Sequence, residues 1–154
     1  MSTNENQLPA QGFLASLADH EREALHGLGE ELSFGEAEPV IQEGTSQDHL
    51  YVLLKGRCKV LQKHVAPAVT AWLEEGDSFG EVNLFDLEQQ GASASVQGAE
   101  NIVVWRIDRN SLNTFIASHP DASLRLVVGL ATLLSKRLRS VNEHVKKMSV
   151  WTRS

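Results

Sequence analysis

From Leu32 to Ile107 the chain is written in short apolar or alternating runs broken by glycine, and this pattern limits the fold more than any other feature. The runs are Pro39 to Gln42, Leu50 to Leu54, Cys58 to Gln62, Val69 to Leu73, Ser93 to Gln97 and Ile102 to Ile107. Lys55-Gly56 between two runs is a hairpin turn signal, and Glu75-Gly76-Asp77 is a second break. Strands so short and so evenly spaced do not suit alternating strand–helix units. They predict a mostly β fold with flanking helices: a double-stranded β-helix, or jelly-roll, barrel over about residues 32–107.

The flanks read as helix. Residues 1–11 carry no periodicity and are expected to be a disordered N-terminal segment. Phe13, Leu14, Leu17, Leu25 and Leu28 then recur at helical spacing, which predicts one or two short helices over 13–29. After the last run, Asp108 can cap a short helix through Leu112, Phe115 and Ile116. Pro120 suits the first turn of another, where a missing N–H costs nothing. That long helix, about 120–148, carries Leu124, Val127, Ala131, Leu134, Leu138, Val141, Val145 and Met148 at alternating steps of three and four. Leu126, Leu130 and Leu133 form a second apolar face on its first half only. One face can pack on the barrel while the seam packs on a second copy, so a homodimer through this helix is expected. Residues 12–148 thus form one domain, with 149–154 as a tail.

Several function classes are excluded at this level. No apolar run approaches the roughly 18 residues of a membrane span, and the first dozen residues hold no Lys or Arg, unlike a signal peptide. Cys58, the single cysteine, rules out a disulfide framework and multi-cysteine metal sites, so a reducing, cytoplasmic setting is expected. It lies in an apolar strand without a nearby histidine, as a packed core thiol does. His20, His26, His49, His64, His119 and His144 are scattered without ligand spacing, so no metal is expected. Net charge is −6, but from Asp121 onward seven bases face two acids, a basic helix on an acidic body. Gly76-Asp77-Ser78-Phe79-Gly80 matches the nucleophile elbow of serine hydrolases, yet its flanks look antiparallel rather than strand–turn–helix. A hydrolase using Ser78 is therefore the remote alternative.

The informative stretch is Gly76-Asp77-Ser78-Phe79-Gly80-Glu81-Val82-Asn83-Leu84-Phe85, followed by Ala92-Ser93-Ala94-Ser95-Val96. It resembles the phosphate-binding cassette of cyclic nucleotide-binding domains, the fold of catabolite activator proteins, kinase regulatory subunits and cyclic-nucleotide-gated channels. Glu43-Gly44, Leu50 to Gly56, Leu73 to Asp77 and Ile107-Asp108-Arg109 match further motifs of that family, and the resemblance covers roughly 13–148. It implies a ligand set of Gly80, Glu81, Val82, Ala92, Ser93 and Ala94, with cyclic AMP or cyclic GMP as the ligand. Glu81 stands where the family accepts the ribose 2′-hydroxyl, while Ser93 and Ala94 stand where a hydroxyl and an amide complete the phosphate cradle. Val141 and Asn142 match helix positions that recognise the base.

The departure is at Ala92, where binding members of the family carry the arginine that pairs with the cyclic phosphate. No Lys or Arg lies between Gly80 and Ser95; Lys55, Arg57 or Lys63 would have to reach in. Losing one partner of a buried ion pair costs on the order of 3–5 kcal/mol. The expected function is thus a non-catalytic sensor or regulatory module with a degenerate cassette and weak or absent cyclic nucleotide binding. Its expected partners are a second copy, a cyclic nucleotide or other small ligand, and an unknown protein. The winged helix-turn-helix of transcriptional relatives has no room before Ser154, so sequence-specific DNA binding is not expected, nor is a membrane. The alternative is a ligand-free protein-interaction or dimerisation module of the same fold.

Overall fold

The computed structural model describes residues 7–64, 66, 68–81 and 91–153, with side chains described as far as Arg139. A 3-10 turn at Gly12–Leu14 and helix α1 (Asp19–Leu28) lead into the strands β1 (Glu30–Phe34), β2 (Pro39–Ile41), β3 (His49–Lys55) and β4 (Cys58–Leu61). Then come β5 (Val69–Leu73), β6 (Ser78–Phe79), β7 (Ser95–Gly98) and β8 (Ile102–Asp108), followed by helices α2 (Arg109–Ser118) and α3 (Pro120–Arg153).

The strands form two four-stranded sheets, ordered β1-β8-β3-β6 and β2-β7-β4-β5, paired antiparallel. This is the jelly-roll architecture, but the two sheets do not close into a barrel. Lys55-Gly56 is not a hairpin turn either: β3 and β4 belong to different sheets, so the glycine, at φ +91°, carries the chain across between them. Two strands had no run of their own in the sequence, β1 and the two-residue β6.

Alternation along β3 and β8 divides the interior. Leu50, Val52, Trp105 and Ile107 face one apolar cluster with Phe13, Leu14, Leu25, Phe115, Leu126 and Leu130 from the helical segments. Tyr51, Leu53, Ile102 and Val104 face the other, between the sheets, with Cys58, Phe79 and Val96. Both faces of this sheet are covered, which is why Leu50 to Leu54 reads as a continuous apolar run. Burial pushes the Cys58 thiol up to about 11, so it packs as a neutral core group.

The helices are set by local chemistry. The Ser111 amide donates to Asp108 Oδ1 at 2.7 Å, the cap expected of that aspartate, and α3 begins at Pro120. The start of α1 is held by the Ala18 amide, 2.7 Å from Glu21 Oε1. Glu21 also accepts both Arg125 guanidinium nitrogens, at 2.8 and 2.7 Å, clasping α1 to α3. Leu8, only 2% exposed, sits in the helical cluster inside the segment expected to be disordered, and α3 runs to Arg153 rather than stopping near 148.

Candidate functional site

A cavity of about 540 Å³ opens beside β4 and β5, bounded by β6 and Gly80-Glu81 on one side and Ala92 to Ala94 on another. Leu133 and Arg137 of α3 close it. The structure places Gly80, Glu81, Ala92, Ser93 and Ala94 around one cavity. Val82 lies outside the described residues, and so do the side chains of Val141, Asn142 and Val145.

Gly80 turns the chain at φ +85°, and its surroundings admit no side chain: a Cβ would lie 2.7 Å from the His49 carbonyl oxygen. Gln47 fixes this corner. Its Nε2 donates to the Gly80 carbonyl at 3.0 Å while its Oε1 accepts from the His49 amide at 2.6 Å. The corner delivers Glu81 to the cavity floor, only 3% exposed.

Glu81 is paired with Arg137. One guanidinium nitrogen bonds to Oε1, and the other donates to the Ser78 carbonyl oxygen at 2.7 Å. Among the described residues, neither Glu81 Oε2 nor Ser78 Oγ has a hydrogen-bond partner, although both are buried. A buried acceptor and a buried hydroxyl left open in one cavity are the groups a ligand would satisfy.

Ala92 is buried and stitched to the β2–β3 connection. Its amide donates to the Thr45 carbonyl, and its own carbonyl accepts from the Gly44 amide, both at 2.8 Å. That amide is therefore not free for a phosphate. Ser93 is exposed at the rim, and its carbonyl accepts from Gln62 Nε2 at 3.2 Å. Lys55, Arg57 and Lys63 do not line the cavity. Arg57 instead pairs with Glu74 at 2.9 Å and lies 4.2 Å above the Trp72 ring.

The cation the sequence reading missed is Arg137, placed there on a basic, solvated helix face. A signal existed. Leu126, Leu130 and Leu133 form the inward stripe of α3, and one further turn along it reaches position 137. Ser78, for its part, is not a nucleophile elbow. Its strand pairs antiparallel with β3, and no base partners its hydroxyl among the described residues.

Among the described residues, nothing covers the other stripe of α3. Leu124 and Leu138 are 66% and 62% exposed, and Val127, Ala131 and Leu134 are exposed as well. Among the described residues, no group of three His, Cys, Asp or Glu side chains is placed to hold a metal, and no helix is long and apolar enough to cross a membrane.

Residues 31–119 match the cyclic nucleotide-binding domain family, and the chain belongs to it. Its relatives include regulators of transcription. The CRP-like cAMP-activated global transcriptional regulator of Mycobacterium tuberculosis is 28% identical over 118 residues, 74% of this chain and 49% of that protein. The cAMP-activated global transcriptional regulator CRP of Escherichia coli is 30% identical over 112 residues, 71% of this chain and 51% of that one. The chain thus spans about half the length of the curated relatives it matches. Among solved structures, the catabolite activator protein of Thermus thermophilus superposes with a TM-score of 0.74 at 25% identity, over 89% of this chain and 62% of its own. A cyclic nucleotide-binding domain from Methylobacillus flagellatus shares the fold with a TM-score of 0.76 at 20% identity, over 84% and 72% of the two chains.

Proposed function

We propose that this chain is a non-catalytic sensor or regulatory module whose cavity binds cyclic AMP and cyclic GMP weakly or not at all. The observation that carries this reading is the Glu81–Arg137 pair in a cavity whose wall at residue 92 is alanine. The one described cation lining the cavity is already engaged, by Glu81 and by the Ser78 carbonyl. A buried cyclic phosphate would lack a partner there, a loss of about 3–5 kcal/mol. Dissociation constants no tighter than about 100 μM are expected, given that loss. Calorimetry with cyclic AMP and cyclic GMP tests this directly, and micromolar binding of either would sink it.

Signalling in this reading runs through α3. Arg137 and Leu133 touch the cavity from the same helix that carries the exposed apolar stripe, so an occupant that draws Glu81 away from Arg137 changes how α3 is held. The partner on the stripe is a second copy of this chain. The module works in the cytoplasm, without catalysis. The exposed stripe favours a second reading, a ligand-free dimerisation module. It would predict that no small molecule alters the behaviour of α3.

A further inference from the structure

We infer that the cavity is built for an uncharged ligand that offers hydroxyl donors to the Ser78–Glu81 corner and an apolar ring body to the walls, and that it favours such a molecule over its anionic analogue. This rests on the sensor reading above and deepens it by naming the class of ligand.

Three observations carry it. First, the open polar atoms want a donor. Glu81 Oε2 only accepts while its carboxylate is ionised, and Ser78 Oγ accepts or donates, so a hydroxyl-bearing ligand satisfies both. Second, the rest of the wall is largely apolar, with Ile41, Val60, Ala71, Leu73, Phe79 and Leu133 facing the space. A volume of about 540 Å³ lies within the roughly 300–1,000 Å³ of small-molecule sites. Third, the charge is already balanced. The Glu81 carboxylate has its guanidinium, and no Lys or Arg occurs between Gly80 and Ser95 to meet a second anion. An anion entering would give up its hydration beside a carboxylate without a new partner. An uncharged molecule gives up only its hydroxyl hydration, which the two open atoms replace.

Adenosine and cyclic AMP are the probes, since they share a ring body and differ in the phosphate. Trp72 lines the cavity at its half-exposed rim, so indole fluorescence reports binding alongside calorimetry. Adenosine is expected to bind at least about tenfold more tightly than cyclic AMP. Glu81→Gln and Ser78→Ala should each weaken adenosine by about tenfold, the scale of one lost hydrogen bond to a charged or buried group. Should Glu81→Gln unfold once Arg137 is unpaired, Ser78→Ala alone carries this test. Cyclic AMP binding at micromolar concentration and more tightly than adenosine overturns both the inference and the weak-binding reading beneath it. If neither probe binds up to millimolar concentration, the inference alone falls. Adenosine binding unchanged in Ser78→Ala places the molecule elsewhere and likewise overturns it.

Discussion

Residues 91 and 92 are neighbours with opposite tolerance for a side chain. Ala92 lines the cavity, so Ala92→Arg adds a guanidinium at the position where binding relatives are expected to hold the cyclic phosphate. This variant is expected to gain cyclic AMP affinity by at least about tenfold in calorimetry, and Ala92→Lys by less, because lysine lacks the two parallel N–H bonds. Gly91→Arg should not substitute for it. Gly91 has φ +83°, and a Cβ there would lie 2.7 Å from the Gly44 carbonyl oxygen, so this variant should lose thermal stability without gaining affinity. At this scale the sequence was legible where a motif is contiguous. Gly80 and Glu81 are adjacent and identifiable, whereas the Arg137 bonded to Glu81 lies 56 residues away. Gln47 carries no motif at all, since its role depends on a loop meeting the Gly80 carbonyl across the fold.

Local signals likewise placed the helices but not all their connections. Asp108 and Pro120 act within one turn of themselves, so the starts of α2 and α3 could be read directly. Lys55-Gly56 announces a reversal but not which sheet receives the chain, and two-residue β6 is too short for any periodicity. The clasp between α1 and α3 was equally hidden. Hydrogen bonds from Arg125, then from the Ala18 amide, hold the Glu21 carboxyl down to about 2 from an ordinary 4.5. A carboxyl depressed on folding stabilises fully above its unfolded value, and that stability drains as pH falls through the folded one. Urea midpoints should therefore fall between pH 4.5 and 2. Arg125→Met should flatten the part of that fall due to Glu21. An unchanged slope would mean the clasp contributes nothing.

For the whole molecule, the exposed stripe of α3 carries the proposed assembly. Leu134 and Leu138 sit mid-stripe and face away from the cavity and both apolar clusters. In a helix-to-helix dimer they would be buried, and an unpaired carboxylate there would be costly. Light scattering should give a dimer for the natural chain at micromolar concentration, and a folded monomer for the Leu134→Asp, Leu138→Asp double variant. A natural chain that is monomeric under those conditions ends the proposal. The 3–4 spacing revealed this stripe in advance, because a helix face is set by local period alone. What spacing could not supply was the partition of the interior, which depends on which strands neighbour one another.

That partition has a mechanical consequence. β3 and β8 are a common wall, with Val52 and Trp105 turned to the helices and Leu53 and Val104 turned to the space between the sheets. Stripping the helices from one side would expose the wall that the other cluster leans on, so neither half has a stable life of its own. Amide protons at the centres of β3 and β8 should exchange with deuterium only through global opening, while those of the edge strand β5 exchange by fraying. Helical and tryptophan signals should then vanish together in urea, with the two clusters melting as one cooperative unit.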